Sequence, residues 1–335
     1  MTRFLGSTLL ALTLLAAATP APAQGDFRSC LSGLRGQAAA RGISAQAFDA
    51  ATRGVEPDLS ILDLMNNQPE FKTPIWDYLA ALVDDERVQD GKTAMGRWGQ
   101  ALAAAEARFG VDRHAIAGVW GVESNFGKDI GGRPLVQSLS TLACYGPRRR
   151  DYFTGELMAT LKIVQDGDMD ASVLRGSWAG AFGHTQFMPS TFQRLAVDGD
   201  GDGRSDIWQS EPDALASIAN YFAKSGWKPN TPWGVAVSVP SGFNRAAVAN
   251  RLRAPRCPRV FERHSRWMSI GEWRRMGIQI RGNAPRDSEM ASLIEPDGPG
   301  RTAYLLTTNY RTILDYNCSN FYALSVGLLA DEVRR

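Results

Sequence analysis

Histidine is scarce, with three residues in a chain of 335, and no Cys-x-x-Cys or His-rich spacing accompanies them. Their absence excludes a zinc site of the usual ligand spacing. Neither sign of charge is in excess. Lys and Arg number 37 against 35 Asp and Glu, for a net charge of +2, and this balance argues against a general nucleic-acid binder. Beyond residue 23 no apolar run is long enough to cross a bilayer, so no integral membrane segment is expected in the mature chain. No repeat or low-complexity tract appears, which excludes a solenoid. No separate binding module is expected after the last helical stretch.

The start of the chain reads as an export signal. Met1-Thr-Arg3 is positive, residues 4–18 are mostly apolar, and Ala21-Pro-Ala23 offers a small-residue cleavage site. A mature chain beginning near Gln24 would hold roughly 310 residues, enough for a sizeable core and more than one subdomain. The residues before Cys30, Phe27-Arg28-Ser29, are not a lipobox, so no lipid anchor is expected. Four cysteines (Cys30, Cys144, Cys257 and Cys318) in an oxidising compartment favour two disulfides. Pairing Cys30 with Cys144 and Cys257 with Cys318 is preferred, but spacing alone leaves all three connectivities open.

Residues 27–110 read as helical. A stripe runs over 27–40, Ser44 is a cap for the next short helix, 75–83 is amphipathic, and 90–109 makes a longer helix ending at Gly110. Pro57, Pro69 and Pro74 break these segments. Between 111 and 230 short helices alternate with loops rich in Gly, Asp and Pro. From 233 the pattern changes: 234–239 alternates like a strand, 291–294 and 302–307 are strand-like, and Ser269 caps a short helix through Met276. Residues 310–335 return to helix with a break at 317–319. The fold class is mainly α, with a small α+β part.

The chemistry centres on the stretch from Asp112 to Gly127, with Asp112 as N-cap and Gly127 as the residue to end on. Ile116, Val119, Trp120 and Glu123 recur at helical spacing, so Glu123 lies on the stripe that faces the core. Burial and the negative end of the helix dipole both push its pKa up. An acid that stays protonated near neutrality is what a general acid requires. The competing reading is a Glu satisfied in a buried salt bridge. A second stretch, 177–190, crowds small residues around Gln186, Phe187 and Met188. The Gln186 amide offers the donor and acceptor that sugar hydroxyl and acetamido groups need. The competing reading here is a tight helix contact.

Three stretches together resemble the lytic murein transglycosylases of the membrane-bound B family. They are Glu-Ser-x-Phe-Gly at 123–127, Ala-Gly-Ala-Phe-Gly-x-x-Gln-Phe-Met-Pro-Ser at 179–190, and Tyr-Asn-x-Ser-x-Phe-Tyr-Ala-Leu at 316–324. The resemblance runs from about Phe27 to Arg335. It implies a periplasmic enzyme that splits peptidoglycan glycan strands between N-acetylmuramic acid and N-acetylglucosamine, leaving 1,6-anhydromuramoyl ends, with no organic cofactor. With the lysozyme-like core that the resemblance implies, the residues divide into a signal peptide over 1–23, an N-terminal helical subdomain over 24–110, the core over 111–232, a small α+β insertion over 233–307, and helices over 308–335 that complete the core. It places the acid/base at Glu123 and sugar contacts at Ser177, Gln186, Phe187, Tyr221, Tyr316, Asn317 and Tyr322, with Tyr78 a further one. Ser177 and Asn317 would help position the substrate acetamido group. For each tyrosine taken separately, core packing is the competing role. Most glycosidases need two carboxylates. Asp129 and Asp151, the nearest acids following Glu123, belong to no second motif. That favours the anhydro route, in which the substrate's own acetamido group assists, over hydrolysis. A hydrolytic muramidase on the same fold and a non-catalytic peptidoglycan-binding protein are the alternatives.

Between 198 and 209, Asp198, Asp200, Asp202 and Asp206 fall at positions 1, 3, 5 and 9 of a calcium loop of the EF-hand type, with Gly203 at position 6. Arg204 would add its carbonyl. Gln209 replaces the usual closing Glu, and the resemblance suggests Asp213 in its place. The expectation is a weak, structural calcium site, against a turn that is merely solvated. Eleven Arg between 245 and 286, facing only Glu262 and Glu272, read as a solvated basic surface. The functional alternative is attraction to stem-peptide carboxylates.

Overall fold

The structure, a computed structural model, describes residues 24–65, 73–167, 169, 171, 173–251 and 253–335. The export signal expected over 1–23, and Pro69, lie outside the described residues.

Short helices lead the chain: Gln24–Ala39, Ala45–Ala51, Ser60–Leu64 and Ile75–Leu82. The Ser44 hydroxyl caps the second by accepting the Ala47 N–H, and Pro74 stands immediately before the fourth. The single helix expected over 90–109 is two, Asp85–Arg97 and Gly99–Phe109. Trp98 leaves helical geometry between them at φ −107°, ψ 19°, and the second helix turns there to lie along Glu211–Lys224. Gly99, which opens the second helix, lies at the turn, and glycine weakens helix propagation.

The centre of the molecule is the helix Arg113–Ser124. The Asp112 carboxylate caps it by accepting the His114 N–H. Every residue from Ala115 to Gly121 is buried. The helix crosses Asn320–Arg334 closely: a Cβ on Gly118 would stand 2.5 Å from the Val326 carbonyl oxygen, so only glycine fits. Leu102, Ile116, Trp120, Phe222, Tyr310 and Leu324 belong to the core around it. Phe27, Phe48 and Ile61 pack elsewhere, against Leu139 and Leu157 of the helices Leu135–Tyr145 and Arg150–Asp166. The residues from 24 to 110 thus feed two cores. A Cys30–Cys144 disulfide fastens the first helix to Leu135–Tyr145.

A two-residue ladder joins β1 (Arg133–Pro134) to β2 (Arg175–Gly176). Five more strands, β3 (Gly234–Ser238), β4 (Met268–Ser269), β5 (Gln279–Ile280), β6 (Met290–Ile294) and β7 (Tyr304–Thr307), form an antiparallel sheet in the order β4-β6-β7-β3-β5. Trp273, Ile270 and Leu293 fill the core of this part. Ser269 and Glu272 form a capping box on the helix Ile270–Arg275. β7 runs straight into Thr308–Tyr316, and Asn320–Arg334 follows after the break at 317–319. A Cys257–Cys318 disulfide ties the sheet-bearing segment to that break. The fold is mainly helical with a small sheet, as the sequence led us to expect. Among the described residues no helix is long and apolar enough to cross a membrane.

Candidate active site

Glu123 occupies the last turn of Arg113–Ser124. The helix ends before Gly127, which the sequence suggested as its stop. Asn125 is the C-cap at φ 49°, and Phe126 and Gly127 continue at φ 56° and 86°. Asn is the commonest non-glycine residue to accept this left-handed conformation. The tight turn leaves Glu123 partly buried. Burial raises its pKa to about 7, with Tyr322 drawing it back down. No other charged group shifts Glu123. Asp129 and Asp151 are exposed.

Aromatic rings crowd the acid. Tyr221 and Tyr316 have centroids 4.5 Å apart, Phe187 lies 5.7 Å from Tyr316, and Tyr322 stacks on Tyr316 at 6.4 Å and 15°. The Tyr316 hydroxyl donates to the Thr185 carbonyl at 2.6 Å, and that of Tyr221 to the Asp315 carbonyl at 2.5 Å. Burial, and then the neighbouring Glu123 carboxylate, hold the Tyr316 and Tyr322 phenols well above their ordinary range. Both therefore keep their protons beside the acid.

The 177–190 stretch approaches from the other side. The Ser177 hydroxyl accepts the Ala181 N–H at 3.1 Å. Gln186 stands at φ 49°, and its Nε2 donates to the Ile130 and Gly183 carbonyls at 3.1 and 2.9 Å. Glu156, buried in the helix behind, accepts both the N–H and the hydroxyl of Ser190, at 2.9 and 2.8 Å, and so fixes the end of this stretch. Asn317 is exposed beside Tyr316 and next to the disulfide at Cys318. Tyr78 lies further along, its ring 5.5 Å from that of Phe321.

The structure thus gathers Glu123, Phe187, Tyr221, Tyr316 and Tyr322 into one wall. Phe187, 2% exposed, and Tyr322, 3% exposed, build that wall from behind. Sequence reading passed over His184 and Glu156. His184 filled an open position of a motif. The sequence held no signal for its role, since its partners lie in other segments.

In the acidic loop, ligand atoms of Asp198, Asp200 and Asp202 lie within 4.8 Å of one another. Asp206 and Asp213 stand outside that cluster. Asp206 accepts the N–H groups of Trp208 and Gln209, both at 2.9 Å. Asp213, fully buried, accepts those of Gly199 and Asp206, at 2.7 and 2.6 Å, and so pins both ends of the loop. Three converging carboxylates form a hard oxygen donor set of the kind calcium takes.

The sequence profile of the Transglycosylase SLT domain matches residues 26–331. The chain is 34% identical over 287 residues to the membrane-bound lytic murein transglycosylase B of Escherichia coli K12, covering 82% of this chain and 74% of that protein. Among solved structures it resembles SltB3 from Pseudomonas aeruginosa in complex with NAG-anhNAM-pentapeptide. The TM-score is 0.84 at 43% identity, over 92% of this chain and 79% of the other. It also resembles the Escherichia coli lytic transglycosylase Slt35 in complex with calcium, with a TM-score of 0.73 at 28% identity and 93% of each chain covered.

Proposed function

The chain belongs to the Transglycosylase SLT domain family and is a lytic transglycosylase of peptidoglycan, and we propose that it works through a single acid/base, Glu123, leaving 1,6-anhydromuramoyl ends. The observation that carries this reading is a lone carboxylic acid, raised to about pKa 7, set against phenols with no second carboxylate acting on it. Glu123 protonates the glycosidic oxygen between N-acetylmuramic acid and N-acetylglucosamine, and that bond breaks. The muramic acetamido carbonyl stabilises the positive charge at C1. The Glu123 carboxylate then takes the C6 hydroxyl proton as that oxygen closes onto C1. The acid is regenerated and no water is consumed.

Gln186, with Nε2 engaged by two backbone carbonyls, offers its Oε1 to the sugar. Ser177 and Asn317 hold the acetamido group. Tyr221, Tyr316, Phe187 and Tyr322 form the apolar wall under the rings, with Tyr78 extending it. Binding of a NAG-NAM-pentapeptide by the similar SltB3 supports a peptidoglycan strand as the ligand. The two disulfides are consistent with export to the periplasm. Asp198, Asp200 and Asp202 would hold a calcium ion, with the Arg204 carbonyl, Asp206 and Asp213 as the remaining candidates. Its role is structural, and no step of the reaction passes through it. Slt35 is known with calcium.

Mass spectrometry of the products from purified peptidoglycan tests the reaction. Anhydro ends are expected. Reducing ends, each heavier by one water, would make the protein a hydrolytic muramidase, and no cleavage would make it a binding protein.

A further inference from the structure

Glu123 sits one residue from the end of its helix, and the backbone beyond it is strained. Asn125 and Phe126 are non-glycine residues at positive φ, a conformation that persists only where the surroundings over-determine it. His184 supplies much of that constraint. It is 7% exposed. Its Nδ1 accepts the Trp120 indole N–H at 3.1 Å. An indole nitrogen only donates, so Nδ1 carries no proton and the ring is neutral, with its proton on Nε2. The His184 carbonyl accepts the Ser124 hydroxyl at 2.9 Å, and that hydroxyl in turn accepts the Gly127 N–H at 3.2 Å. A Cβ on Gly127 would fall 2.3 Å from the imidazole Cε1, so the ring rests directly on the turn. The His184 N–H donates to the Ile207 carbonyl at 2.9 Å, next to the acidic loop. Trp120 lies one helical turn before Glu123 on the same face, and Ser124 follows it.

We infer that His184 is the positioning residue for Glu123, clamping the helix end through Trp120 and Ser124 and anchoring it on the Ile207 backbone. The inference rests on the proposed role of Glu123. A displacement of the acid by about 1 Å from the glycosidic oxygen is worth about 10²-fold in rate.

The test measures kcat and KM on soluble, uncrosslinked glycan strands, per folded molecule. His184→Phe keeps a ring and removes the acceptor, and His184→Asn returns an acceptor near the place of Nδ1. His184→Phe should lower kcat about 10²-fold with little change in KM, and His184→Asn should recover most of the loss. Trp120→Phe should lower kcat in the same sense, and adding His184→Phe to it should cost little more, because the two changes remove one interaction. If His184→Phe does not fold, Trp120→Phe and His184→Asn carry the test. An unchanged kcat, no recovery in His184→Asn, or losses that multiply in the double variant would overturn the inference. Glu123→Gln is measured alongside. If it stays active, the role of Glu123 itself falls. If it is inactive while His184→Phe keeps full kcat, only the role of His184 falls.

Discussion

Glu123 and Asp198 are both acids at the edge of a helix-and-loop junction, and their surroundings differ in kind. Glu123 has a wall of rings and the Tyr316 and Tyr322 phenols near it, and no N–H donor lowers its pKa. Asp198 accepts the Gly201 and Gly203 N–H groups at 2.5 and 2.9 Å, and those bonds, that of Gly203 first, hold its pKa below the ordinary carboxylate range. One acid is kept protonated near neutrality, and the other is kept charged. The difference lies in backbone direction: the loop glycines turn amide groups inward at Asp198, whereas the end of the Arg113–Ser124 helix turns none toward Glu123. The first environment suits a proton donor, and the second suits a cation ligand.

The comparison breaks most visibly at Glu123. Glu123→Gln should reduce cleavage at the upper end of about 10²–10⁴-fold or beyond, since one residue acts as both acid and base. Glycan binding should survive, as a pull-down on insoluble peptidoglycan would show. Near-normal turnover would remove Glu123 from its role.

On the loop side, calorimetric melts should show a higher midpoint with calcium than with chelator. Calcium at a hundredfold its Kd would add about 2.7 kcal/mol of stability. Asp200→Asn, which keeps the shape and removes a charge, should shrink that difference. Equal midpoints, with no heat of binding on titration, would reduce the loop to a turn.

A smaller effect sharpens the contrast. Burial raises Glu123 from the ordinary 4.5 to about 7, so the folded state favours the protonated form. Its stabilising share is complete below about pH 4.5 and is lost as pH climbs through 7. Glutamine suffers no such loss. At pH 8 Glu123→Gln should therefore be more stable than the parent by about 1–3 kcal/mol, toward the low end because the carboxyl is only partly buried. Urea unfolding at pH 4 and pH 8 measures it, and equal stability at both would contradict the raised pKa.

Much of this contrast could be read before the structure. Asp112, the apolar spacing of Ile116, Val119 and Trp120, and Glu123 in line with them outline a capped, core-facing helix, because helix periodicity is a local property. β3, β6 and β7 were visible as strand-like runs. β4 and β5, at two residues each, were not, because such short strands exist only through their partners. The break at Trp98 escaped although Gly96 and Gly99 flank it, because the apolar spacing on either side continues through it. The acidic loop shows the limit most clearly. Its spacing offered Asp206 and the resemblance offered Asp213 as ligands; in the structure both also accept backbone N–H groups of the loop. Spacing gives the order of carboxylates along a chain and leaves open which way each one turns. His184 was invisible for the same reason, since its partners at Trp120, Ser124 and Ile207 come from two other segments.

The most direct test follows the Glu123 carboxyl itself. Carbon-13 NMR of protein labelled at glutamate carboxyls, with the Glu123 signal assigned by its loss in Glu123→Gln, gives its titration in the free enzyme. A midpoint near 7 is the result predicted by an acid kept protonated among phenols. A midpoint near the ordinary 4.5 would leave Glu123 charged at neutral pH and contradict its role as the proton donor.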